Sequence, residues 1–146
     1  MRLLKNLAAG MAGAVALNLL HETLKKTGTN MPRIDLLGEE ALNNVLGAIK
    51  SPIENKEKLY MATLAADVVS NAVYFSAIGA GKDKYIWPRA IVSGLTAGLG
   101  AVKLAKPLGL NEATVARTEK TKGLTVAYYL SGALVTAMIL KLMIKK

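Results

Sequence analysis

Apolar residues run along this chain in long, nearly unbroken stretches. They cover residues 3–24, 59–81, 87–105 and 124–144. A soluble helix needs an apolar stripe on only one face, whereas these stretches are apolar on most sides, so lipid is the expected solvent. A bilayer core takes about 20 residues of helix, and each stretch has about that length. The pattern predicts an all-α fold: an integral membrane four-helix bundle, a single transmembrane domain over residues 1–146.

The segments between the stretches add detail. Leu42, Val45, Leu46 and Ile49 recur at helical spacing, with Glu39, Glu40, Asn43 and Asn44 on other faces. That predicts a short amphipathic helix over 34–50, too short to span, lying on the membrane or folded back on the bundle. Ser51-Pro52-Ile53-Glu54 reads as a capping box with proline at the first helical position, so the second long helix should start near Pro52. Ala90, Gly94 and Gly98 form a small-residue stripe on the third stretch, and Ala8–Ala14 enrich the first in small residues. Such faces let helices approach closely in lipid, within one chain or between copies, which makes a homo-oligomer an expected partner.

Polar residues inside the apolar stretches are the candidates for chemistry. A charge at the bilayer centre costs about 2.5–3.5 kcal/mol on insertion scales, and Asp67 lies well inside the second stretch. It belongs to a seam of Tyr60, Thr63, Asp67, Ser70, Asn71 and Tyr74, spaced by three and four and so sharing one helix face. Such a face must turn toward other helices or a wet cavity. Asn18, His21 and Glu22 share a face at the end of the first stretch, and Tyr128 and Tyr129 lie near the start of the fourth. The connectivity brings these groups into one half of the membrane. Asp67 lies roughly 12 Å inside the Leu59 end, and His21 and Glu22 roughly 3–5 Å inside the Leu24 end. The expected site is a one-sided polar pocket, or proton relay, of Asn18, His21, Glu22, Asp67, Asn71, Tyr74, Tyr128 and Tyr129. Arg33 and Arg117, on the loops above it, are expected to touch an anion or lipid headgroup.

Composition narrows the classes. The net charge is +9 over 146 residues, with 19 Lys and Arg against 10 Asp and Glu. Arg2, Lys5, Lys82, Lys84, Lys141, Lys145 and Lys146 stand at the ends of the stretches. There they suit anionic lipid headgroups, and no basic stripe interleaved with aromatics points to nucleic acid. The chain has no cysteine, which excludes disulfides and thiolate metal sites. One histidine without a second ligand at metal spacing predicts no metal, and the glycine-rich stretches lack a phosphate-loop ending, so no cofactor is expected. The N-terminus has basic residues before an apolar run, but Ala14-Val15-Ala16 would leave only a short, glycine-rich leader core, so it reads as a retained helix. Lys/Arg totals favour the long loops inside, whereas the short basic ends favour the termini inside; the latter is the reading taken. The expected location is a bacterial cytoplasmic membrane.

Three function classes are open to such a chain. A small membrane protein could bind or translocate a small solute, ion or proton through the polar pocket. A membrane-embedded enzyme could act on a lipid or isoprenoid substrate with the clustered histidine, acids and tyrosines. A structural or accessory subunit would use the polar seam only as interhelical glue.

Overall fold

The computed structural model describes residues 1–145. Six α-helices form the fold: α1 Arg2–Leu24, α2 Ile34–Ala48, α3 Lys56–Ser76, α4 Ile86–Leu104, α5 Ala113–Ala116 and α6 Glu119–Ile144. Short 3-10 helices at Ala77–Gly79 and Asp83–Tyr85 join α3 to α4. No strand occurs among the described residues, so the all-α expectation holds.

Three helical segments are long and apolar enough to cross a membrane: Arg2–Leu24, Lys56–Gly79 and Glu119–Ile144. The fourth expected span, α4, is not among them. It has 19 residues and carries Arg89 and Lys103, which dilute its apolar content.

The long helices pack in the order α3, α1, α6, α4, with α2 laid on α3 and α5 touching both α2 and α6. Small residues permit this closeness. Gly13 of α1 faces Gly132 and Thr136 of α6, where any added Cβ would strike the Gly132 carbonyl and the Thr136 hydroxyl. A Cβ on Gly98 of α4 would fall 2.6 Å from Val126 Cα of α6. The small-residue stripes thus make close helix contacts within the chain. An apolar core of Ala9, Leu17, Phe75, Ile78, Ile86, Ala90, Ala133, Ala137 and Leu140 fills the bundle toward the chain termini. A second cluster of Ile34, Ala105, Val115 and Tyr128 seals the other end.

Both ends are tied by polar contacts. At the terminal end, Arg2 pairs with Asp83 at 2.7 Å, Lys141 donates to the Asp83 carbonyl at 2.8 Å, and Arg89 donates to the Ile78 carbonyl at 2.8 Å. At the opposite end, Arg33 N–H donates to the Thr114 carbonyl at 2.7 Å, and the Thr121 hydroxyl donates to the Asn30 carbonyl at 2.9 Å. The Asn111 N–H donates to Glu40 of α2 at 2.9 Å. The loops that follow α1 and α4 thus form one cap with α2.

One start signal is misread at the sequence level. α3 begins at Lys56, not near Pro52, and its N-cap is Asn55, whose side chain accepts from the Lys58 N–H at 2.9 Å. The Ser51–Glu54 box does not form because Asn43 holds this stretch from α2. The Asn43 side-chain oxygen accepts the Ile53 N–H at 2.7 Å, and its amide donates to the Ile53 carbonyl at 3.1 Å. With Ile53 gripped on both sides, the helix starts only beyond it. The apolar face of α2 is partly packed: Leu42 and Leu46 are half-buried, whereas Val45 and Ile49 are 65% and 69% exposed.

Candidate functional site

α1 ends beneath α2, and there the polar residues of three helices meet. Asn18, His21 and Glu22 of α1, Ile34 and Asp35 of α2, and Tyr60, Thr63, Leu64 and Asp67 of α3 line one cavity of about 10 Å³. A polar cavity of this size has room for about one water. Helical spacing explains the convergence. Asn18, His21 and Glu22 stand three and four residues apart on α1, and Tyr60, Thr63 and Asp67 do so on α3. The close α1–α3 packing then sets the two faces against each other.

His21 is the centre of the arrangement. It is 2% exposed. Its Nδ1 is 3.4 Å from Glu22 Oε1 and its Nε2 is 3.4 Å from Asp35 Oδ1. Neither is a full hydrogen bond, and Nε2 is among the buried polar atoms without a hydrogen-bond partner, as is Thr63 Oγ1. The Tyr128 ring stands edge-on to the imidazole, centroids 6.3 Å apart.

Asp35 gathers the charges. Arg33 donates to both its oxygens, at 2.9 and 2.8 Å, a two-pronged pair that fixes the carboxylate's plane. Lys25 Nζ lies 3.2 Å from Asp35 and 2.8 Å from Glu22, and 4.8 Å above the Tyr60 ring. Burial pushes the Asp35 carboxyl up, but His21, Arg33 and Lys25 together outweigh it and hold the group well below the usual carboxylate range. Lys25 shows the opposite balance from the same contacts. Burial lowers it, and Glu22 and Asp35 more than restore it, so its ammonium is held above the ordinary value. Arg33 is likewise held up, chiefly by Asp35. Glu39, one turn along α2 from Asp35, is raised by burial and then by the Asp35 charge.

Asp67 reaches two spaces. It lines the small polar cavity and also an open apolar groove of about 320 Å³ between α2 and α3, where Gly38, Ala41, Leu42 and Val45 face Ala66 and Ser70. Thr63 lines both as well. Asp67 and Thr63 therefore stand between a small polar space and an open, mostly apolar groove.

Four of the expected pocket residues meet in this cavity: Asn18, His21, Glu22 and Asp67. Four do not line it. Asn71 is buried one turn further along α3, with its amide nitrogen unpartnered. Tyr74 is drawn away toward α4, where its hydroxyl donates to the Ser93 carbonyl at 2.9 Å. Tyr128 is buried behind His21 in the capping cluster, and Tyr129 packs against both apolar clusters. Arg33, expected to contact headgroups, is largely engaged by Asp35. Arg117 remains exposed on its loop.

Asp35 and Lys25 were not among the candidates. Their signal was faint but present: Arg33-x-Asp35 opens the amphipathic helix, and Lys25 stands three residues after Glu22. Only the fold of α2 back over α1 makes them part of the site. No protein family, no curated protein and no solved structure matches this chain.

Proposed function

We propose that this is a four-span membrane protein whose His21–Asp67 pocket, at the cap end of the bundle, binds and exchanges a proton by way of a single water. The observation that carries the reading is the cavity itself. One imidazole and three carboxylates (Glu22, Asp35 and Asp67) surround a volume that suits about one water and no larger solute. Lys25 and Arg33 compensate Asp35 and Glu22, while no cation pairs with Asp67 among the described residues. An intramembrane acid without a counter-ion is a natural proton carrier, and a neighbouring histidine can receive that proton.

The placement of the helix ends supports the four-span reading. α4 runs from the end that holds Asp83 to the end that holds α5, antiparallel to α6. If α6 crosses, its packed neighbour crosses the same thickness. Nineteen residues give about 28 Å, close to a hydrocarbon core. Arg89 and Lys103 lie in the first and last turns, where long basic side chains reach the headgroups.

Infrared difference spectra of the protein in lipid test the proton reading. Across the physiological pH range they should show a carboxylic-acid band that Asp67→Asn removes; a spectrum unchanged by that substitution overturns it. A second reading is an enzyme acting on a lipid or isoprenoid, favoured by the apolar groove that ends at Asp67. It predicts that an acyl photoprobe labels Leu42 or Val45 and that a lipid product forms, neither of which proton transfer requires.

A further inference from the structure

Arg33 and Arg117 come from different loops but line one notch of about 60 Å³, with Thr29, Asn30, Thr114 and Leu36. The backbone builds it. The Arg33 N–H bond to Thr114 joins the two loops, and the Thr121 bond to Asn30 anchors the first of them to α6. The notch is therefore held by fixed contacts between the loops, with Arg33 and Arg117 both among its lining residues.

The donor inventory is specific. A guanidinium carries five N–H groups. Arg33 gives two of them to Asp35, through Nε and Nη2, so three remain. Arg117 is exposed and forms no ion pair among the described residues. The Thr114 and Thr121 hydroxyls already donate to the Asn111 and Asn30 carbonyls. Asp35 cancels the charge of Arg33, so Arg117 supplies the net positive charge. Two forks with free N–H groups beside one small recess match the several acceptor oxygens of a tetrahedral oxyanion.

We propose that this notch binds a phosphate group, separately from the proton pocket. On the membrane-spanning reading above, its position suits the phosphate of an anionic phospholipid, because it lies where α1 ends and α6 begins, which that reading puts at headgroup level. Leu36, 39% exposed on the notch wall, offers an apolar contact that free phosphate would not use.

Native mass spectrometry of the purified full chain tests this, after exchange into phosphatidylglycerol or into a galactosyl diacylglycerol that lacks phosphate. The expected result is retention of phosphatidylglycerol over the phosphate-free lipid, weakened roughly tenfold by Arg117→Gln, the loss of one charge-assisted contact. Arg117→Lys should restore part of it, and Tm should be unchanged because Arg117 has no internal partner to lose. Displacement of the lipid by inorganic phosphate assigns the notch to phosphate from either source; resistance to displacement assigns it to the lipid. Equal retention by wild type and Arg117→Gln, or equal retention of both lipids, overturns the proposal.

Discussion

His21 Nε2 of α1 lies 3.4 Å from Asp35 Oδ1 of α2. That approach makes Asp35 of α2 part of the polar cavity's lining. α2 is too short to span, yet it supplies the carboxylate around which Lys25 and Arg33 assemble. The ion cluster makes α2 a fixed roof over the site.

Asp35→Asn should destabilise the fold by roughly 2 kcal/mol at neutral pH, because it strands the half-buried Arg33 guanidinium and leaves Lys25 paired with Glu22 alone. The pH dependence has a definite sign. The folded protein holds the Asp35 carboxyl below its ordinary value of 3.8, so its contribution is fully present above that value. It is lost as the pH falls below it. Chemical denaturation in detergent should show the wild-type advantage at neutral pH and its decline under acid; an advantage constant with pH contradicts this account.

Glycine replacements should separate the packed faces from the open ones. Gly98→Val places a side chain against Val126 and should cost at least about 1–3 kcal/mol. Gly123→Ala, also within a helix, meets nothing within 4 Å and should add about 0.5–1 kcal/mol of stability. Thermal unfolding of the two variants should move in opposite directions.

Asn43→Ala removes both hydrogen bonds to Ile53 and should cost about 1–2 kcal/mol. Hydrogen exchange should show lost protection at the Ile53 amide first, with α3 beyond Asn55 little changed.

Because the chain has no cysteine, single cysteines report sidedness directly. Lys5→Cys, Lys82→Cys and Lys145→Cys should label from one side of the membrane, and Thr27→Cys, Lys50→Cys and Lys120→Cys from the other. Labelling of Lys82→Cys and Lys145→Cys from opposite sides would mean that α4 does not cross.

Much of this architecture was legible in the residue pattern, and the losses have physical causes. The three most apolar helices announce themselves by composition, and α2 by the spacing of Leu42, Val45, Leu46 and Ile49. That Asp67 and His21 meet at one end of the bundle could be read from connectivity alone. The start of α3 was missed because Asn43 grips Ile53 from outside the local sequence. Asp35 was missed because spacing along one helix cannot say which other helix folds over it. Tyr74 shares the Asp67 face by periodicity, yet its hydroxyl reaches across to Ser93.

Proton uptake by the pocket tests the central claim most directly. The purified protein in unbuffered detergent solution is titrated across the physiological pH range against a pH-indicator dye. The account predicts that the wild type takes up more protons than Asp67→Asn, and that His21→Gln alters the uptake, while both variants remain folded. Uptake by both variants that matches the wild type would contradict it.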